Sequence, residues 1–179
     1  MNALRQFLVK KRGFTLVEVL IALTITGLIM GGISAGIIQL MTISERNTNA
    51  ITAQRQLQQA GDAVSTDIVQ ARRVFYSQGN TPAGTGFSIV LEWTNLAGNE
   101  FTITYRLTSD GILYRDQSVN GGTATTRKIA ENISTASADT QFAPKSGSPG
   151  TYTLKITAVI EGRYAVTETR FYEARQRSS

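Results

Sequence analysis

The feature that most constrains this 179-residue chain is an uncharged, apolar run near its N-terminus. No charged residue occurs from Val19 to Ser44, and the carboxylate of Glu18 stands at the edge of the run. A helix of about 20 apolar residues spans a bilayer, so this run is long enough to cross a membrane. Basic residues come first, and Gly13 and Phe14 separate them from the apolar part. The sequence therefore predicts a membrane helix with an acid at its start.

The order of these residues resembles the N-terminus of type IV prepilins and type II secretion pseudopilins. The stretch that carries the resemblance is Lys10-Lys11-Arg12-Gly13-Phe14-Thr15-Leu16-Val17-Glu18. In that family a prepilin peptidase cuts after a glycine, here Gly13, and the new N-terminal residue, here Phe14, is usually N-methylated. The resemblance also implies that Glu18 acts in assembly, by pairing with the N-terminal amine of a neighbouring subunit.

Two other interpretations of the apolar run stay open. A conventional signal peptide has an apolar region of only about 7–15 residues before a small-residue cleavage site, for which Ile33-Ser34-Ala35 is a weak candidate. A generic single-pass anchor also fits the length. Neither accounts for Glu18, because a carboxylate beside hydrocarbon costs a few kcal/mol unless it is paired or reaches water. The prepilin interpretation is preferred for this reason.

Glycines recur inside the apolar run. Gly27 and Gly31, and again Gly32 and Gly36, have the spacing that lets membrane helices approach closely. The alternative is that they loosen the helix, since each glycine costs up to about 1 kcal/mol relative to alanine.

The net charge of +5 belongs mostly to the leader. Arg5, Lys10, Lys11 and Arg12 are four of the 18 basic residues, and no acid lies among the first 13 positions. Cleavage after Gly13 would leave 14 basic and 13 acidic residues, a nearly neutral protein. The positive leader is expected to keep the N-terminus in the cytoplasm.

The residue inventory argues against enzymatic chemistry. The chain has no cysteine and no histidine, which removes thiolate chemistry, the commonest general base and the commonest metal ligand. The remaining lysines outside the leader read as surface residues, and the acids lack the dense spacing of a calcium loop. These residues are Lys128, Lys145 and Lys155, and Asp110, Asp116 and Glu131. We expect no catalytic site, no metal site and no cofactor.

The apolar helix is predicted to continue as an amphipathic one over residues 44–76. Apolar and small residues recur every three or four positions there, which predicts one seam along a helix. The seam consists of Leu57, Gly61, Val64, Ile68, Ala71 and Phe75. The opposite face is polar and includes Asp67 and Arg72. The sequence predicts one helix from about Phe14 to Tyr76 that packs its seam on a sheet, with a helix–helix contact as the alternative.

Residues 77–179 have the pattern of an antiparallel sheet. A turn-rich loop over Ser77–Gly86 comes first, and Asp110-Gly111 is a strong hairpin signal. Residues 134–150 are polar and read as a loop, and 127–133 are ambiguous between strand and helical turn. Alternating or apolar runs predict about five strands, at 87–93, 100–107, 112–119, 152–160 and 164–173.

The predicted fold class is therefore α+β, with a long N-terminal helix packed on an antiparallel sheet, as in pilins. The predicted parts are a cleaved leader (1–13), a transmembrane and assembly helix (14–43), its amphipathic continuation (44–76) and a sheet domain (77–179). Many major pilins have a mid-helix proline, where this chain has Ala35, and a C-terminal disulfide, which it cannot form. These departures favour a minor pilin or pseudopilin, most like the J-type pseudopilin.

The resemblance implies a structural subunit of a type IV pilus, type II secretion or competence filament. Its partners would be the prepilin peptidase, other pilin or pseudopilin subunits, the inner membrane and the assembly platform. It would first cross the inner membrane once and then join an extracytoplasmic filament. Two alternatives stay open: a membrane-anchored binding domain that does not polymerise, and a DNA-uptake receptor. DNA is the less favoured partner, although arginines and lysines between Arg72 and Arg177 could form a basic patch.

Overall fold

The computed structural model describes residues 13–76 and 87–177, and the predicted loop at Ser77–Gly86 lies outside these ranges. Within them the chain forms a single α-helix and eight β-strands. The elements are α1 (Leu16–Gln70), β1 (Arg73–Tyr76), β2 (Ser88–Thr94), β3 (Glu100–Leu107), β4 (Leu113–Val119), β5 (Thr125–Ala130), β6 (Gln141–Pro144), β7 (Thr151–Ile160) and β8 (Val166–Arg175). The predicted α+β class is confirmed.

The chain divides into two compact units between Ile43 and Ser44. In the first unit, the described part of α1 exposes its side chains all round, which agrees with an apolar run that has no polar face. By length and composition α1 is the one described helix that could cross a membrane.

In the second unit, α1 buries the predicted seam. Leu57, Val64 and Ile68 are at most 1% exposed, as is Ala71 directly after the helix, and Ala53 and Ala60 extend the buried line. Small residues recur along this seam, so the helix backbone can come close to the strands that cover it. The seam and the inner faces of two sheets form one hydrophobic core.

The helix ends earlier than the sequence pattern suggests. The prediction of a helix to Tyr76 is wrong for its last six residues, because α1 ends at Gln70 and β1 begins at Arg73. β1 contains a β-branched and two aromatic residues, which favour a strand once a partner is present. β1 pairs with β2, and Phe75, predicted in the seam, is instead 50% exposed.

The first five strands form an antiparallel sheet in the order β1-β2-β3-β4-β5. β3 alternates as predicted: Ile103 and Tyr105 are buried toward the core, while Thr102 and Thr104 lie on the other side. The β3–β4 turn contains Gly111 in a left-handed conformation with φ 71°. A side chain there would also meet the Ile133 carbonyl oxygen at 2.6 Å, so this turn requires glycine.

The last three strands form a second antiparallel sheet in the order β6-β7-β8. The prediction of about five strands was therefore too low, and β6 lies within the predicted 134–150 loop. Phe142 is the buried residue of this short strand, and its ring stacks on Tyr152 at a centroid distance of 5.3 Å. Tyr76 of β1 meets the Phe142 ring edge-on at 5.7 Å, which connects the two sheets.

Candidate functional site

The start of α1 is organised by Thr15 and Glu18. The Glu18 backbone N–H donates to the Thr15 hydroxyl oxygen at 3.2 Å, and the Thr15 backbone N–H donates to Oε2 of Glu18 at 3.1 Å. The Thr15 hydroxyl also donates to Oε2, at 3.2 Å. This reciprocal arrangement is a capping box, which satisfies N–H groups that the first helical turn leaves unpaired. Thr15 is therefore the N-cap and Glu18 occupies the third helical position.

The predicted processing residues lie just before this cap. Gly13 and Phe14 precede the helix and are exposed, and the Phe14 side chain is 85% exposed. The structure brings Glu18 to Thr15 rather than to Phe14. The capping role of Glu18 was missed at the sequence level, although the Thr-x-x-Glu spacing ahead of an apolar run is its known signal.

The apolar half of α1 has few polar side chains, and several of them donate hydrogen bonds to backbone carbonyl groups of the same helix. The hydroxyl groups of Thr24 and Thr26 donate to the carbonyl oxygens of Ile21 and Ala22, each at 2.8 Å. Such bonds let a threonine lie in hydrocarbon without an unpaired donor. Large apolar side chains along the same stretch are about half or more exposed within the chain, which is compatible with a lipid or protein environment.

A second polar cluster lies in the core between α1 and the five-stranded sheet. Asp67 is 6% exposed. Arg115 of β4 donates hydrogen bonds to both of its carboxylate oxygens, from Nε to Oδ2 at 2.7 Å and from Nη2 to Oδ1 at 3.2 Å. The Tyr105 hydroxyl donates to the same carboxylate at 2.6 Å. Gln117 accepts a further bond from Arg115 at 2.7 Å. The carboxylate is thus neutralised and fully hydrogen-bonded, as burial of a charge requires.

The cluster changes the acid–base behaviour of its members. Burial, reinforced by the negative charge of Asp67 and the hydrogen bond to it, raises the pKa of Tyr105 far above its usual value. The hydrogen bond to Asp67 also raises the pKa of Arg115. Tyr105 therefore stays protonated and Arg115 stays charged over the physiological range. These states suit a structural connection between helix and sheet.

Asp67 is a correction to the sequence analysis, which assigned it to the solvent-facing side of the helix. It lies three residues after Val64 and one before Ile68, so it borders the buried seam. The helical spacing did not indicate a partner for the Asp67 carboxylate, because Tyr105 and Arg115 are 38 and 48 residues away in sequence. The burial of such an acid depends on strand register, which periodicity alone does not reveal.

The basic residues that were considered as one patch are distributed over different surfaces. Arg72 and Arg177 line one groove beside Trp93. Arg127 and Lys128 line another, next to Asp62 on the helix. Arg73 approaches Glu92 at 3.9 Å. The basic residues named here therefore line separate grooves of the described surface.

Comparison with known protein families identifies the N-terminal segment. Residues 8–34 match the model of the prokaryotic N-terminal methylation motif. The matched stretch contains Gly13, Phe14 and Glu18 and extends into α1. No curated protein and no solved structure matches the chain. The motif indicates a precursor of the type IV pilin or pseudopilin kind, a structural class that is processed by prepilin peptidase and assembles with other pilins.

Proposed function

We propose that this chain is the precursor of a minor pilin or pseudopilin, which a prepilin peptidase cuts between Gly13 and Phe14. The Phe14 amine is then methylated, and the protein joins a type IV pilus, type II secretion or competence filament. The observation that carries the proposal is the methylation-motif match at residues 8–34, which spans the start of α1 at Leu16. The departures from major pilins, Ala35 and the absence of cysteine, support a minor subunit, most like the J-type pseudopilin.

The apolar half of α1 occupies two environments in succession, first the membrane and then the filament. It first holds the precursor in the inner membrane, with the basic leader on the cytoplasmic side. It then leaves the lipid through the assembly platform and packs against the same segment of other subunits. The exposure of its large apolar side chains within the single chain supports this role, because both lipid and neighbouring helices would cover them.

Glu18 has two roles in the assembled protein: it caps the start of α1, and its charge pairs with a neighbouring subunit. Both hydrogen bonds that the Glu18 carboxylate accepts from Thr15 end on Oε2, which leaves Oε1 available for a cation. Cleavage after Gly13 creates that cation, the Phe14 amine, at the same end of every subunit. A pair between Glu18 of one subunit and the Phe14 amine of the next offsets the cost of burying both charges in the filament. It also fixes how far one helix is displaced along its neighbour.

Two substitutions separate these tasks. Glu18→Gln keeps the capping geometry, because glutamine serves at the third helical position, but it removes the charge. Thr15→Ala weakens the cap and keeps the charge. In cells that make the native filament, we expect Glu18→Gln to reduce incorporation into sheared filaments at least about tenfold, a loss of about 1.4 kcal/mol. Thr15→Ala should retain most of the incorporation.

Membrane amounts of both variants, measured by immunoblot, control for expression and insertion. Normal incorporation of Glu18→Gln would refute the charge-pair mechanism. Loss of incorporation in Thr15→Ala alone would instead assign the role of Glu18 to capping. If none of the proteins, wild type included, enters a filament, the chain is a membrane-anchored domain that does not polymerise.

A further inference from the structure

Trp93 lies at an exposed end of the five-stranded sheet, near the end of β2. Its ring stacks on Phe101 of β3 with a centroid distance of 5.6 Å and an interplanar angle of 10°. Both rings are only partly buried. β1 pairs with β2 only as far as Glu92, so the β1 side of Trp93 has no strand beside it. A partly exposed pair of stacked aromatic rings results, and aromatic residues of this kind often contribute strongly to protein contacts.

A groove of about 710 Å³ runs beside this pair of rings. Gln70 at the end of α1, Trp93, and Leu96 in the β2–β3 turn contribute to its walls. Leu96 is fully exposed, at 110% of its reference accessibility. The turn itself is held firmly, because the Asn95 side chain accepts hydrogen bonds from the backbone N–H groups of Ala97 and Asn99 at 3.0 and 2.9 Å. Leu96 is therefore presented to solvent by an ordered turn.

Two arginines flank the same groove, and neither forms an ion pair with an acid among the described residues. Arg72 follows the helix, and Arg177 is brought beside it by Gln176, whose backbone N–H donates to the Gly150 carbonyl at 2.7 Å. The Gln176 side-chain amide also donates to the Arg72 carbonyl. In the described ranges no carboxylate lies within 4.0 Å of either guanidinium. Two positive charges on one groove favour a bound anion there.

We propose that this groove binds a peptide segment of another filament subunit, one that carries a carboxylate next to a large apolar side chain. The carboxylate sits between Arg72 and Arg177, and the apolar side chain covers Trp93 and Leu96. Arginine suits this task because its planar fork binds a carboxylate through two parallel hydrogen bonds. The identity of the partner as a filament subunit rests on the proposed function; the chemistry of the groove does not.

A peptide fits the surroundings better than a nucleic acid does. Trp93 also borders a second groove of about 410 Å³, which Glu92 and Glu100 line together with Arg72 and Arg73. These carboxylates would repel a phosphate backbone that continued past the indole. A short acidic segment needs only the groove beside Leu96. Covering the exposed Leu96 side chain with an apolar group is favourable, whereas a phosphate gains nothing from that contact.

The test uses tryptophan fluorescence, because Trp93 is the single tryptophan of the chain and lines this groove. Full-length protein in detergent micelles is titrated with the peptide acetyl-Gly-Asp-Leu-Glu-Phe-Gly-amide. The matched peptide replaces Asp and Glu by Asn and Gln. We expect a saturable emission change with the acidic peptide, weakened by added salt. The neutral peptide should bind at least about fivefold more weakly, since it loses the charge-assisted bonds.

Variants locate the binding site. Arg72→Gln and Arg177→Gln should each weaken binding of the acidic peptide at least about fivefold. Arg127→Gln is the matched control, because it removes the same charge from a different groove and should leave binding unchanged. Equal responses to the two peptides, no emission change, or equal losses in all three variants would overturn the proposal. Tighter binding of a short oligothymidylate than of the acidic peptide would also overturn it, in favour of a nucleic acid. A negative result here leaves processing at Gly13, which is measured by mass, untouched.

Discussion

The Tyr105 hydroxyl donates a 2.6 Å hydrogen bond to Asp67 and so connects the centre of the five-stranded sheet to α1. Arg115 completes the connection from the neighbouring strand, with its guanidinium 2.7 Å from the same carboxylate. This cluster places an ion pair in the contact between helix and sheet, where Gln56 of α1 also accepts a hydrogen bond from the Glu131 backbone N–H at 2.9 Å. It fixes the helix at one position along the strands, which a seam of small and aliphatic side chains does less specifically.

Removal of the Asp67 side chain should be strongly destabilising. Asp67→Ala leaves the Arg115 charge partly buried and the Tyr105 hydroxyl without its acceptor, and such losses cost about 2–4 kcal/mol. Urea unfolding of the full chain in detergent micelles, followed by near-ultraviolet circular dichroism, measures the change in the free energy of unfolding.

The control is Asp116→Ala on the opposite side of the same sheet. Asp116 accepts a 2.7 Å bond from Arg106, whose side chain is 45% exposed. An exposed pair contributes about 1 kcal/mol or less. Equal effects of the two substitutions would show that the buried cluster has no special role.

Alkaline pH should weaken the fold through Tyr105. Burial and the Asp67 charge raise the pKa of this phenol in the folded state above the ordinary value of 10.0. Above pH 10 the unfolded chain therefore releases the proton first, so the free energy of unfolding falls by up to about 1.4 kcal/mol per pH unit. Below pH 10 both states keep the proton and this contribution is constant.

The measurement compares wild type with Tyr105→Phe in urea between pH 7 and pH 11. Phenylalanine cannot titrate, so the gap between the two proteins should narrow as the pH rises above 10. Between pH 7 and pH 9 the gap should be constant, which serves as the internal control. A constant gap up to pH 11 would contradict the shifted pKa of Tyr105.

Gly61→Ala should destabilise the protein, although alanine is the better helix former. The Tyr172 ring lies against Gly61, where an added methyl group would overlap it, and its hydroxyl donates to the Leu57 carbonyl at 3.0 Å. Overpacking of this kind costs about 1–3 kcal/mol, against a gain in helix propensity of about 1 kcal/mol. Thermal unfolding should show a lower midpoint for Gly61→Ala.

A double-mutant cycle tests the cause of that effect. In a Tyr172→Ala background the ring is absent, so Gly61→Ala should become neutral or stabilising. If Gly61→Ala is equally destabilising in both backgrounds, the close approach of Tyr172 is not the reason for the glycine.

Thr15→Ala should loosen the first turn of α1. The substitution removes the hydroxyl that accepts the Glu18 N–H, and loss of an N-cap costs about 1 kcal/mol. Amide hydrogen exchange of the protein in micelles should speed up about fivefold at Glu18, whose N–H loses its acceptor, which corresponds to that free energy. Glu18→Gln should leave this exchange nearly unchanged. Equal protection in Thr15→Ala and wild type would argue against the capping box.

Much of the fold follows from local pattern. The seam of α1 was predicted because burial on one side of a helix imposes its period on the sequence. β3 and β7 were predicted because apolar and polar residues alternate along them. The turn at Gly111 was predicted because few other residues adopt its backbone conformation. Each of these signals is contained in one continuous stretch of the sequence.

The parts of the fold that were predicted wrongly depend on contacts between distant parts of the chain. Residues 71–76 continue the helical spacing, but pairing of β1 with β2 outweighs it. β6 contains only four residues, one of them Pro144, and becomes a strand because β7 lies beside it. The buried position of Asp67 follows from partners on β3 and β4. At the N-terminus, by contrast, the motif that contains Gly13, Phe14 and Glu18 could be recognised because it lies in one continuous stretch, and residues 8–34 match its family model.

The most direct test of the central claim is the intact mass of the protein purified from its native membranes. Cleavage by a prepilin peptidase predicts a chain that begins at Phe14 and carries one additional methyl group on its amine. Fragmentation should assign that methyl group to Phe14 itself. A mass that retains Met1 and the basic residues up to Arg12 would contradict the account, because no amine would then be created beside Glu18.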